Sequence, residues 1–443
     1  MTSAPPPKLS VIDTGYLGAV HAACMANFGF DVIGVDVDQR KIDQLSEGKP
    51  PFYEPELPEI LTAALDSGRL TFTTDLAQAA AFADVHFICV GTPQSANSNA
   101  ADVTFVNSAV SGLVPHLTRD ALLVGKSTVP VGTAARLRTL ARSLAPAGVN
   151  VDLAWNPEFL REGFAVADTQ RPDRIVIGTD SDSADQLLRA VYTHQLADGV
   201  PYLRTDLATA ELVKVAANSF LATKISFINA MAEVCERAGA DVTALAHAIG
   251  YDDRIGAKFL RAGVGFGGGC LPKDIRAFMA RAGELGVDDA LSFLKEIDDI
   301  NLRQRTRTAN AAVTMLGGSV NGKTIAALGA AFKPDSDDVR DSPALDVAAN
   351  LHLQGARVRV YDPKAMANAA ALFPTLDFVD SAIDACADAD LVLLLTEWKE
   401  FVALDPNELA ARTAGKRILD ARNVLDPVAW RAGGWHYRGL GRP

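Results

Sequence analysis

The sequence of 443 residues lacks three features that would each indicate a particular class of protein. No apolar run reaches the ~18–20 residues that a helix needs to cross a membrane. The five cysteines form no C-x-x-C pair and the seven histidines form no H-x-x-x-H pair. A disulfide framework and a zinc enzyme are therefore unsupported, and no metal site is predicted. Scattered cysteines favour a reducing cytoplasm.

Basic residues are fewer than acidic ones, with 42 Lys and Arg against 54 Asp and Glu, for a formal net charge of −12. This balance argues against nucleic-acid binding, which needs a basic surface. Neither nucleic acid nor a membrane is therefore expected as a partner. A small anionic ligand stays possible, because a pocket can be basic on an acidic protein. The chain length predicts about three domains, and the proline-rich residues 1–10 are predicted to form a loose tail.

Short apolar runs rich in β-branched residues alternate with Ala- and Leu-rich stretches at both ends of the chain. Continuous apolar runs bounded by Gly, Pro or Asp are typical of strands buried in a parallel sheet. The β-α-β series favours an open, doubly wound sheet, and Asp36 and Asp362 end loosely corresponding strands. The predicted strands are Leu9–Ile12, Asp31–Val37, Val85–Val90, Ala121–Gly125, Val151–Ala154, Arg174–Ile177, Thr324–Leu328, Arg357–Tyr361, Leu391–Leu395 and Arg417–Leu419.

The middle of the chain differs, because residues 206–238 contain no proline. Asp206 can cap a helix there and Gly239 can end it, which predicts one helix of ~30 residues. Such a helix can span between domains or lie in a dimer interface. The predicted fold class is α/β, with two doubly wound Rossmann-like domains joined by a helical middle domain with a long central helix. The predicted domain boundaries are 1–205, 206–305 and 306–443.

A nucleotide-binding turn is predicted after the first strand, where Gly15 and Gly18 take the second and third positions of G-x-G-x-x-G. The second glycine lets the backbone approach a pyrophosphate, and the third lets helix and strand pack closely. Asp36 ends the second strand, where an acid suits the ribose hydroxyls of NAD and repels the 2′-phosphate of NADP. A plain tight turn is the alternative interpretation. The predicted cofactor contacts are Gly15, Tyr16, Leu17, Gly18, Asp36, Lys41 and Thr92.

Asp13 stands where the fingerprint has its first glycine. A carboxylate ~5 Å from a pyrophosphate costs on the order of 3 kcal/mol at an effective dielectric constant of 20. The Asp13 side chain can also cap the following helix and compete for its anion site. We therefore expect weakened NAD binding, and unchanged affinity in an Asp13→Gly variant would contradict this.

The segment from Ala262 to Asp274, AGVGFGGGCLPKD, carries the strongest signal for catalysis. Its glycines let the backbone approach a ligand and place Cys270 at the start of a helix. A thiolate there gains from the helix N-terminus and from Lys273. Asp274 is close enough in sequence to hold a water molecule or a proton. The other four cysteines lack such a setting and are predicted to be ordinary buried residues.

Two further segments carry candidate acid–base groups. Lys214 and Asn218 share a face of the predicted long helix, among apolar residues that would bury the ammonium and lower its pKa. An ordinary solvated lysine is the alternative. Glu158 and Glu162 would face the same way in a helix and could order water as a general base, although surface glutamates often have this spacing. Thr128, after another strand, offers a hydroxyl.

A basic pocket for phosphate groups is predicted in the third region. Lys333, Arg340 and Arg422 follow strands there and could bind phosphates. A solvated run of charges is the alternative interpretation.

Five segments occur in the order typical of one family: KSTVPVGT, NPEFLREG, ELVKVAANSF, VGFGGGCLPKD and AAFKPDSDDVRDSP. Together they resemble the UDP-glucose 6-dehydrogenase family of nucleotide-sugar dehydrogenases, from about Lys8 to Arg438. The resemblance implies an NAD-dependent, four-electron oxidation of UDP-glucose to UDP-glucuronate for polysaccharide biosynthesis. It assigns NAD to the N-terminal domain, dimerisation to the central domain and the UDP-sugar to the C-terminal domain.

The resemblance also implies residue roles. Cys270 forms a thiohemiacetal and then a thioester, which water hydrolyses. The implied catalytic residues are Cys270, Lys214, Asp274, Asn218, Glu158 and Thr128. Further cofactor contacts are Thr128, Glu162, Lys273 and Arg340. The implied substrate contacts are Glu158, Phe159, Leu160, Lys214, Asn218, Arg254, Phe266, Gly267, Phe332, Lys333 and Arg422, with Arg254 reaching the substrate of a neighbouring subunit in a homodimer or higher homo-oligomer.

Two alternatives follow from the same residues. One is another nucleotide-sugar dehydrogenase, acting on UDP-N-acetylmannosamine or GDP-mannose. The other is a UDP-sugar-binding protein whose cofactor site is impaired by Asp13. The costly groups Cys270, Lys214 and Asp274 argue against the second.

Overall fold

A computed structural model describes residues 5–443. The chain forms two compact units, the first ending at Ala217 and the second running from Asn218 to Pro443. Residues 1–4 of the predicted tail lie outside the described residues, and residues 9–10 belong to the first strand instead.

The first unit contains an eight-stranded sheet with helices on both faces. Its strand order is β3-β2-β1-β4-β5-β6-β7-β8. The strands are β1 (Leu9–Ile12), β2 (Val32–Val35), β3 (Leu70–Thr73), β4 (Val85–Ile88), β5 (Ala121–Gly125), β6 (Val151–Trp155), β7 (Ile175–Gly178) and β8 (Tyr202–Thr205). The helices that begin in this unit are α1 (Tyr16–Asn27), α2 (Gln39–Ser46), α3 (Leu57–Asp66), α4 (Leu76–Phe82), α5 (Thr104–Leu113), α6 (Thr133–Leu144), α7 (Ala165–Gln170), α8 (Asp182–Val191), α9 (Thr193–Ala197) and α10 (Leu207–Ala238).

Successive side chains of the central strands enter two different cores. Val11 packs into the core on one face of the sheet and Ile12 into the core on the other. Phe87 and Ile88 on β4 divide in the same way. Burial on both faces explains why these strands have continuous apolar sequences rather than alternating ones.

One strand direction in this sheet differs from the expectation. The run around Arg174–Ile177 was expected to lie parallel to its neighbours, but β7 pairs with β6 in antiparallel fashion, at Trp155 and Gly178. β8 then pairs parallel to β7. Burial on both faces gives the same apolar pattern in either direction, so the sequence signal does not separate the two.

The second unit contains a six-stranded parallel sheet and its own core. Its strand order is β11-β10-β9-β12-β13-β14. The strands are β9 (Thr324–Leu328), β10 (Arg357–Tyr361), β11 (Asp377–Phe378), β12 (Leu391–Leu394), β13 (Arg417–Asp420) and β14 (His436–Gly439). The helices are α11 (Val242–Gly250), α12 (Leu271–Glu284), α13 (Ser292–Met315), α14 (Pro343–Leu353), α15 (Met366–Leu372), α16 (Ala382–Cys386), α17 (Lys399–Val402), α18 (Pro406–Ala410) and α19 (Pro427–Ala432).

The predicted long helix is confirmed as α10, which has 32 residues. The Asp206 carboxylate accepts a hydrogen bond from the Thr209 amide at 2.8 Å, as a helix cap does. None of the helices within residues 5–443 is long and apolar enough to cross a membrane.

Candidate functional site

The predicted nucleotide turn connects β1 to α1 in the first unit. Asp13 has a φ of 74°, a left-handed conformation that explains why a fingerprint has glycine here. A Cβ atom on Gly18 would lie 1.8 Å from the Asp13 carbonyl oxygen, so only glycine permits this close approach of helix and strand. Gly15 is the residue that precedes α1.

The Asp13 carboxylate turns back onto this loop. Its Oδ1 atom accepts a hydrogen bond from the Gly15 amide at 2.8 Å, and Oδ2 accepts one from the Gly91 amide at 3.4 Å. Burial raises the pKa of Asp13, and these bonds oppose the shift. The Asp13 carboxylate is therefore bound to the loop that leads into α1, and the competition with an anion there stays a prediction.

Asp36 is buried beside the same turn, at the end of β2. Its Oδ2 atom accepts hydrogen bonds from the amide and hydroxyl of Thr14 at 3.1 and 3.2 Å. Lys41 Nζ lies 3.1 Å from the same oxygen, and the Lys41 side chain remains 37% exposed. Asp36 is thus held at the position where an acid can meet ribose hydroxyls, with Lys41 on its accessible side.

Tyr16 links the turn to a segment that the sequence places far away. Its hydroxyl donates to Glu54, and Glu54 also accepts hydrogen bonds from the amides of Gly163 and Ala165 at 2.6 and 2.7 Å. Burial and the Glu54 carboxylate raise the pKa of Tyr16. Leu17 packs against the core of this face. No sequence motif marked Glu54, because its partners lie on α1 or are more than 100 residues away in sequence.

Two loops on the strand ends beside the turn are joined by two hydroxyl groups. Thr92 Oγ1 donates to the carbonyl of Thr128 at 2.6 Å, and Thr92 is buried. Ser127 Oγ donates to the Val90 carbonyl at 2.6 Å. The loops after β4 and β5 are therefore fixed to one another.

Lys214 is buried and forms an ion pair with Glu158. The Lys214 Nζ to Glu158 Oε1 distance is 3.0 Å, and Lys214 is only 4% exposed. The ammonium also lies 5.6 Å from the centre of the Phe159 ring. The expected loss of solvent around Lys214 is confirmed, while the lowered pKa stays a prediction.

The helical arrangement considered for Glu158 and Glu162 is wrong. Residues 156–161 have no helical structure, and α7 begins only at Ala165. Glu158 Oε2 instead accepts a hydrogen bond from the Leu160 amide at 2.6 Å. A side chain that binds nearby backbone in this way competes with helix formation.

A second buried lysine, Lys126, lies beneath these loops. Its Nζ donates to Asn156 Oδ1 at 2.9 Å, and the Tyr192 hydroxyl donates to the same oxygen at 2.5 Å. Burial lowers the pKa of Lys126. The sequence indicated Lys126 only as a neighbour of Thr128. Lys126 holds the loop after β6 through Asn156, which is distant in sequence, so no local motif reveals this contact.

In the second unit, Cys270 directly precedes α12 and is exposed. The other four cysteines are buried, as expected. Burial raises the pKa of Cys24, Cys89 and Cys386 to about 12. A helix N-terminus favours the thiolate form of a cysteine, so Cys270 has the surroundings of a reactive thiol and these three do not.

Asp274 follows Cys270 by one turn and is almost fully buried. Its Oδ2 atom accepts a hydrogen bond from Asn218 Nδ2 at 2.7 Å. Lys273 Nζ lies 2.7 Å from the other carboxylate oxygen. The structure therefore brings two other predicted site residues, Asn218 and Lys273, to the Asp274 carboxylate.

The glycine loop before Cys270 is packed against the segment that contains Arg340. A Cβ atom on Gly267 would lie 2.2 Å from the Asp341 carbonyl oxygen, and one on Gly269 would lie 2.4 Å from the Arg340 guanidinium carbon. Asn301, which is fully buried, binds both sides of the Phe266 backbone, accepting from its amide at 2.7 Å and donating to its carbonyl at 3.0 Å. Asn301 carries no sequence motif of its own and was not among the predicted site residues.

Two of the predicted basic residues, Arg422 and Lys333, differ in their surroundings. Arg422 donates to the carbonyl oxygens of Leu395, Gly265 and Phe332 at 2.7, 3.2 and 2.9 Å. Lys333 Nζ lies 5.4 Å from the centre of the Phe332 ring.

The two other predicted arginines are exposed and pair with nearby acids. Arg340 is 64% exposed and pairs with Asp338, and Arg254 is 89% exposed and pairs with Asp252. Both guanidinium groups are therefore accessible to a ligand or a partner.

The second sheet has its own buried carboxylate, Asp362, directly after β10. Its Oδ2 atom accepts hydrogen bonds from the amides of Ala330 and Ala331 at 2.8 and 3.0 Å and from Trp398 Nε1 at 3.0 Å. The amides of Ala330 and Ala331, after β9, are thus already bound to a carboxylate of the protein itself. Within residues 5–443, no group of three or more His, Cys, Asp or Glu side chains is placed to hold a metal ion.

Comparison with known proteins gives matches over nearly the whole chain. Three domains of the UDP-glucose/GDP-mannose dehydrogenase family match: the NAD-binding domain at residues 7–196, the central domain at 208–303 and the UDP-binding domain at 326–427. The UDP-glucose 6-dehydrogenase of Rhizobium meliloti (strain 1021) is 41% identical, over 98% of this chain and 100% of its own length.

Two further proteins illustrate the likeness. UDP-glucose 6-dehydrogenase TuaD of Bacillus subtilis (strain 168) is 40% identical, over 98% of this chain and 93% of its own length. The structure of a UDP-glucose dehydrogenase from Pyrobaculum islandicum aligns with a TM-score of 0.91 at 37% identity, covering 100% of this chain and 99% of that chain.

Proposed function

The chain belongs to the UDP-glucose/GDP-mannose dehydrogenase family, and on that premise we propose that it is a UDP-glucose 6-dehydrogenase. It oxidises UDP-glucose to UDP-glucuronate with NAD. The hydroxymethyl group and one water become a carboxylate, with two hydrides going to two NAD and three protons to solvent. The observation that carries this proposal is the exposed Cys270 before α12, the only exposed cysteine among residues 5–443.

The dinucleotide-binding turn lies in the first unit and its residues fit a dinucleotide. Gly18 permits close packing of α1 on β1, Asp36 is held at the end of β2, and a Cβ atom on Gly91 would meet open space. We assign the ribose to Asp36 and Lys41. When bound, NAD supplies the oxidising power, because its nicotinamide accepts a hydride in each oxidation. The further predicted cofactor contacts are Tyr16, Leu17, Thr92, Thr128, Glu162, Lys273 and Arg340.

Cys270 makes the second oxidation feasible. Its thiolate adds to the aldehyde carbon and holds it as a thiohemiacetal before the second oxidation and as a thioester after it. Water then displaces the thiolate, which leaves the carboxylate product. The helix N-terminus at Cys270 favours the thiolate both as the attacking group and as the leaving group.

Acid–base and electrostatic roles are assigned to two ionic pairs, Lys273–Asp274 and Lys214–Glu158. Asp274 takes the first proton or holds the water that does so, and Asn218 and Lys273 fix its orientation. Lys214 stabilises an oxyanion on the substrate carbon, and Glu158 orients the hydrolytic water. The predicted substrate contacts are Glu158, Phe159, Leu160, Lys214, Asn218, Arg254, Phe266, Gly267, Phe332, Lys333 and Arg422.

The first expected result is the stoichiometry of the reaction. Purified protein given limiting UDP-glucose and excess NAD should form two NADH per sugar, followed by absorbance. UDP-N-acetylmannosamine and GDP-mannose, tested in parallel, should give slow turnover or none. One NADH per sugar would contradict the double oxidation, and faster turnover of another sugar nucleotide would contradict the substrate assignment.

We further propose that the protein is a homodimer or higher homo-oligomer built on α10. The helix exposes apolar side chains at intervals of eight, seven and seven residues, which places them along one face. Their exposed fractions are 36%, 67%, 47% and 57% for Leu212, Phe220, Phe227 and Val234. Exposed apolar rows of this kind mark interaction surfaces. The domains 1–205, 206–305 and 306–443 and a cytoplasmic location remain predictions from the sequence.

Charges on this face should break the assembly. Phe220→Glu together with Phe227→Glu is expected to convert the protein to a monomer, because burying two carboxylates in an apolar interface is costly. Sedimentation velocity measures the change. Leu353→Glu, at an exposed apolar position on α14, is the control and should leave sedimentation unchanged. Unaltered sedimentation of the double variant would contradict the interface.

A further inference from the structure

The Asp13 carboxylate binds the amides of the nucleotide turn from within the protein. Each of its two oxygens accepts one backbone hydrogen bond, from Gly15 at 2.8 Å and from Gly91 at 3.4 Å. Gly15 immediately precedes the twelve-residue helix α1. In dinucleotide-binding sheets the pyrophosphate lies at this helix N-terminus. An internal anion therefore lies at the turn where the cofactor anion is expected.

The backbone fixes the carboxylate at this place. Asp13 has a left-handed φ of 74°, which aspartate tolerates better than most residues. The Asp13 amide also donates to the Val35 carbonyl at 2.8 Å, which holds the residue on the end of β2. The backbone therefore holds Asp13 at the turn, and the hydrogen bonds from the Gly15 and Gly91 amides orient its carboxylate.

The charges around Asp13 do not balance it. Asp36 and Lys41 face it from the end of β2 and from α2, and Cys89 faces it from the end of β4. Lys41 is already paired with Asp36, and burial raises the pKa of the Cys89 thiol to about 12, which keeps it neutral. Burial and the Asp36 charge raise the pKa of Asp13 itself. Lys41 is thus shared by the Asp13 and Asp36 carboxylates even before a phosphate group binds.

We propose that Asp13 is an internal competitor for the pyrophosphate, so that NAD or NADH binds together with one proton that neutralises the Asp13 carboxylate. This inference rests on the proposed function, because it takes NAD as the ligand of the first unit. Protonation removes one negative charge from beside the pyrophosphate. It also weakens the hold of Asp13 on the Gly15 and Gly91 amides, because a neutral acid accepts hydrogen bonds less strongly than a carboxylate. The site is therefore more receptive at low pH and less receptive at high pH.

The test measures NADH binding to the full chain by calorimetry between pH 5.5 and 8.5, without sugar. For the wild-type protein, the dissociation constant should increase with pH above the Asp13 pKa, by up to tenfold per pH unit for one linked proton. Asp13→Asn keeps the shape and tolerates the left-handed backbone, and Asp13→Gly restores the fingerprint. Both should bind NADH at least about tenfold more tightly at pH 8 and with a flatter pH dependence. Buffers of different ionisation enthalpy should reveal proton uptake by the wild-type protein alone.

One control variant and two distinct outcomes separate the possible failures. Asp43→Asn neutralises an exposed acid on α2 and should behave like the wild-type protein. Equal affinity and equal pH dependence in the wild-type, Asp13→Asn and Asp13→Gly proteins would overturn the inference while leaving NAD as the cofactor. Absence of NADH binding by every variant at every pH would overturn the proposed function and the inference with it.

Discussion

Cys270→Ala is expected to lower turnover of UDP-glucose by about 10³-fold or more, because the variant has no nucleophile to hold the aldehyde for the second oxidation. NADH binding and UDP-glucose binding should remain within a few-fold of the wild-type values. Stopped-flow absorbance measures NADH formation, and calorimetry measures binding. Any residual reaction should stop after one NADH per sugar.

Selective alkylation provides the control for this prediction. Iodoacetamide should label the wild-type protein once, at Cys270, because the other four cysteines are buried. Mass spectrometry of peptides identifies the site, and UDP-glucose should protect it. Cys386→Ala changes a thiol in the core of the second unit and should keep both turnover and labelling. Undiminished turnover in Cys270→Ala would exclude the covalent route.

Lys214→Met should destabilise the first unit by about 3–5 kcal/mol, because it leaves the Glu158 carboxylate buried without its cation. The distance between the two charged groups is 3.0 Å and both side chains are largely buried. The measurement is the urea concentration at which peptides of β6 lose protection from hydrogen exchange. Turnover should also be lost, since the proposed oxyanion contact is absent.

A second substitution distinguishes charge pairing from packing. Lys214→Met combined with Glu158→Gln should recover most of the lost stability without recovering turnover, because neither group is then an unpaired charge. Lys49→Met breaks the exposed pair with Glu47 and should not shift the transition. A double variant as unstable as Lys214→Met alone would assign the loss to packing instead.

The strands show where sequence reasoning succeeds. All ten predicted strands exist, with ends that differ by at most two residues, and the long helix begins one residue after its predicted cap. The four missed strands, β3, β8, β11 and β14, are the four edges of the two sheets. An edge strand has one unpaired side and partial exposure, so its sequence lacks a continuous apolar run. The Tyr202–Thr205 strand has no buried residue at all.

The candidate site divides in a similar way. Glycines, Cys270 and Lys214 could be identified because their chemistry depends on local features: a turn, a helix start and an apolar helix face. Glu54 and Asn301 could not, because each holds a loop through backbone hydrogen bonds to residues distant in sequence. The Glu158 error has a different origin, because its partner, the Leu160 amide, is only two residues away and the i, i+4 spacing of two glutamates does not reveal a side chain that binds its own loop.

Asp362 distinguishes the second sheet from the first, although the two sheets have similar folds. The turn after β9 presents amides as a dinucleotide site would, yet Asp362 and Trp398 already occupy that place. Because these groups are buried and mutually satisfied, a pyrophosphate would gain little by displacing them. Two similar sheets in the chain therefore do not imply two dinucleotide sites. One polypeptide should hold one dinucleotide, which leaves the second sheet to distinguish a nucleotide sugar from the cofactor that oxidises it.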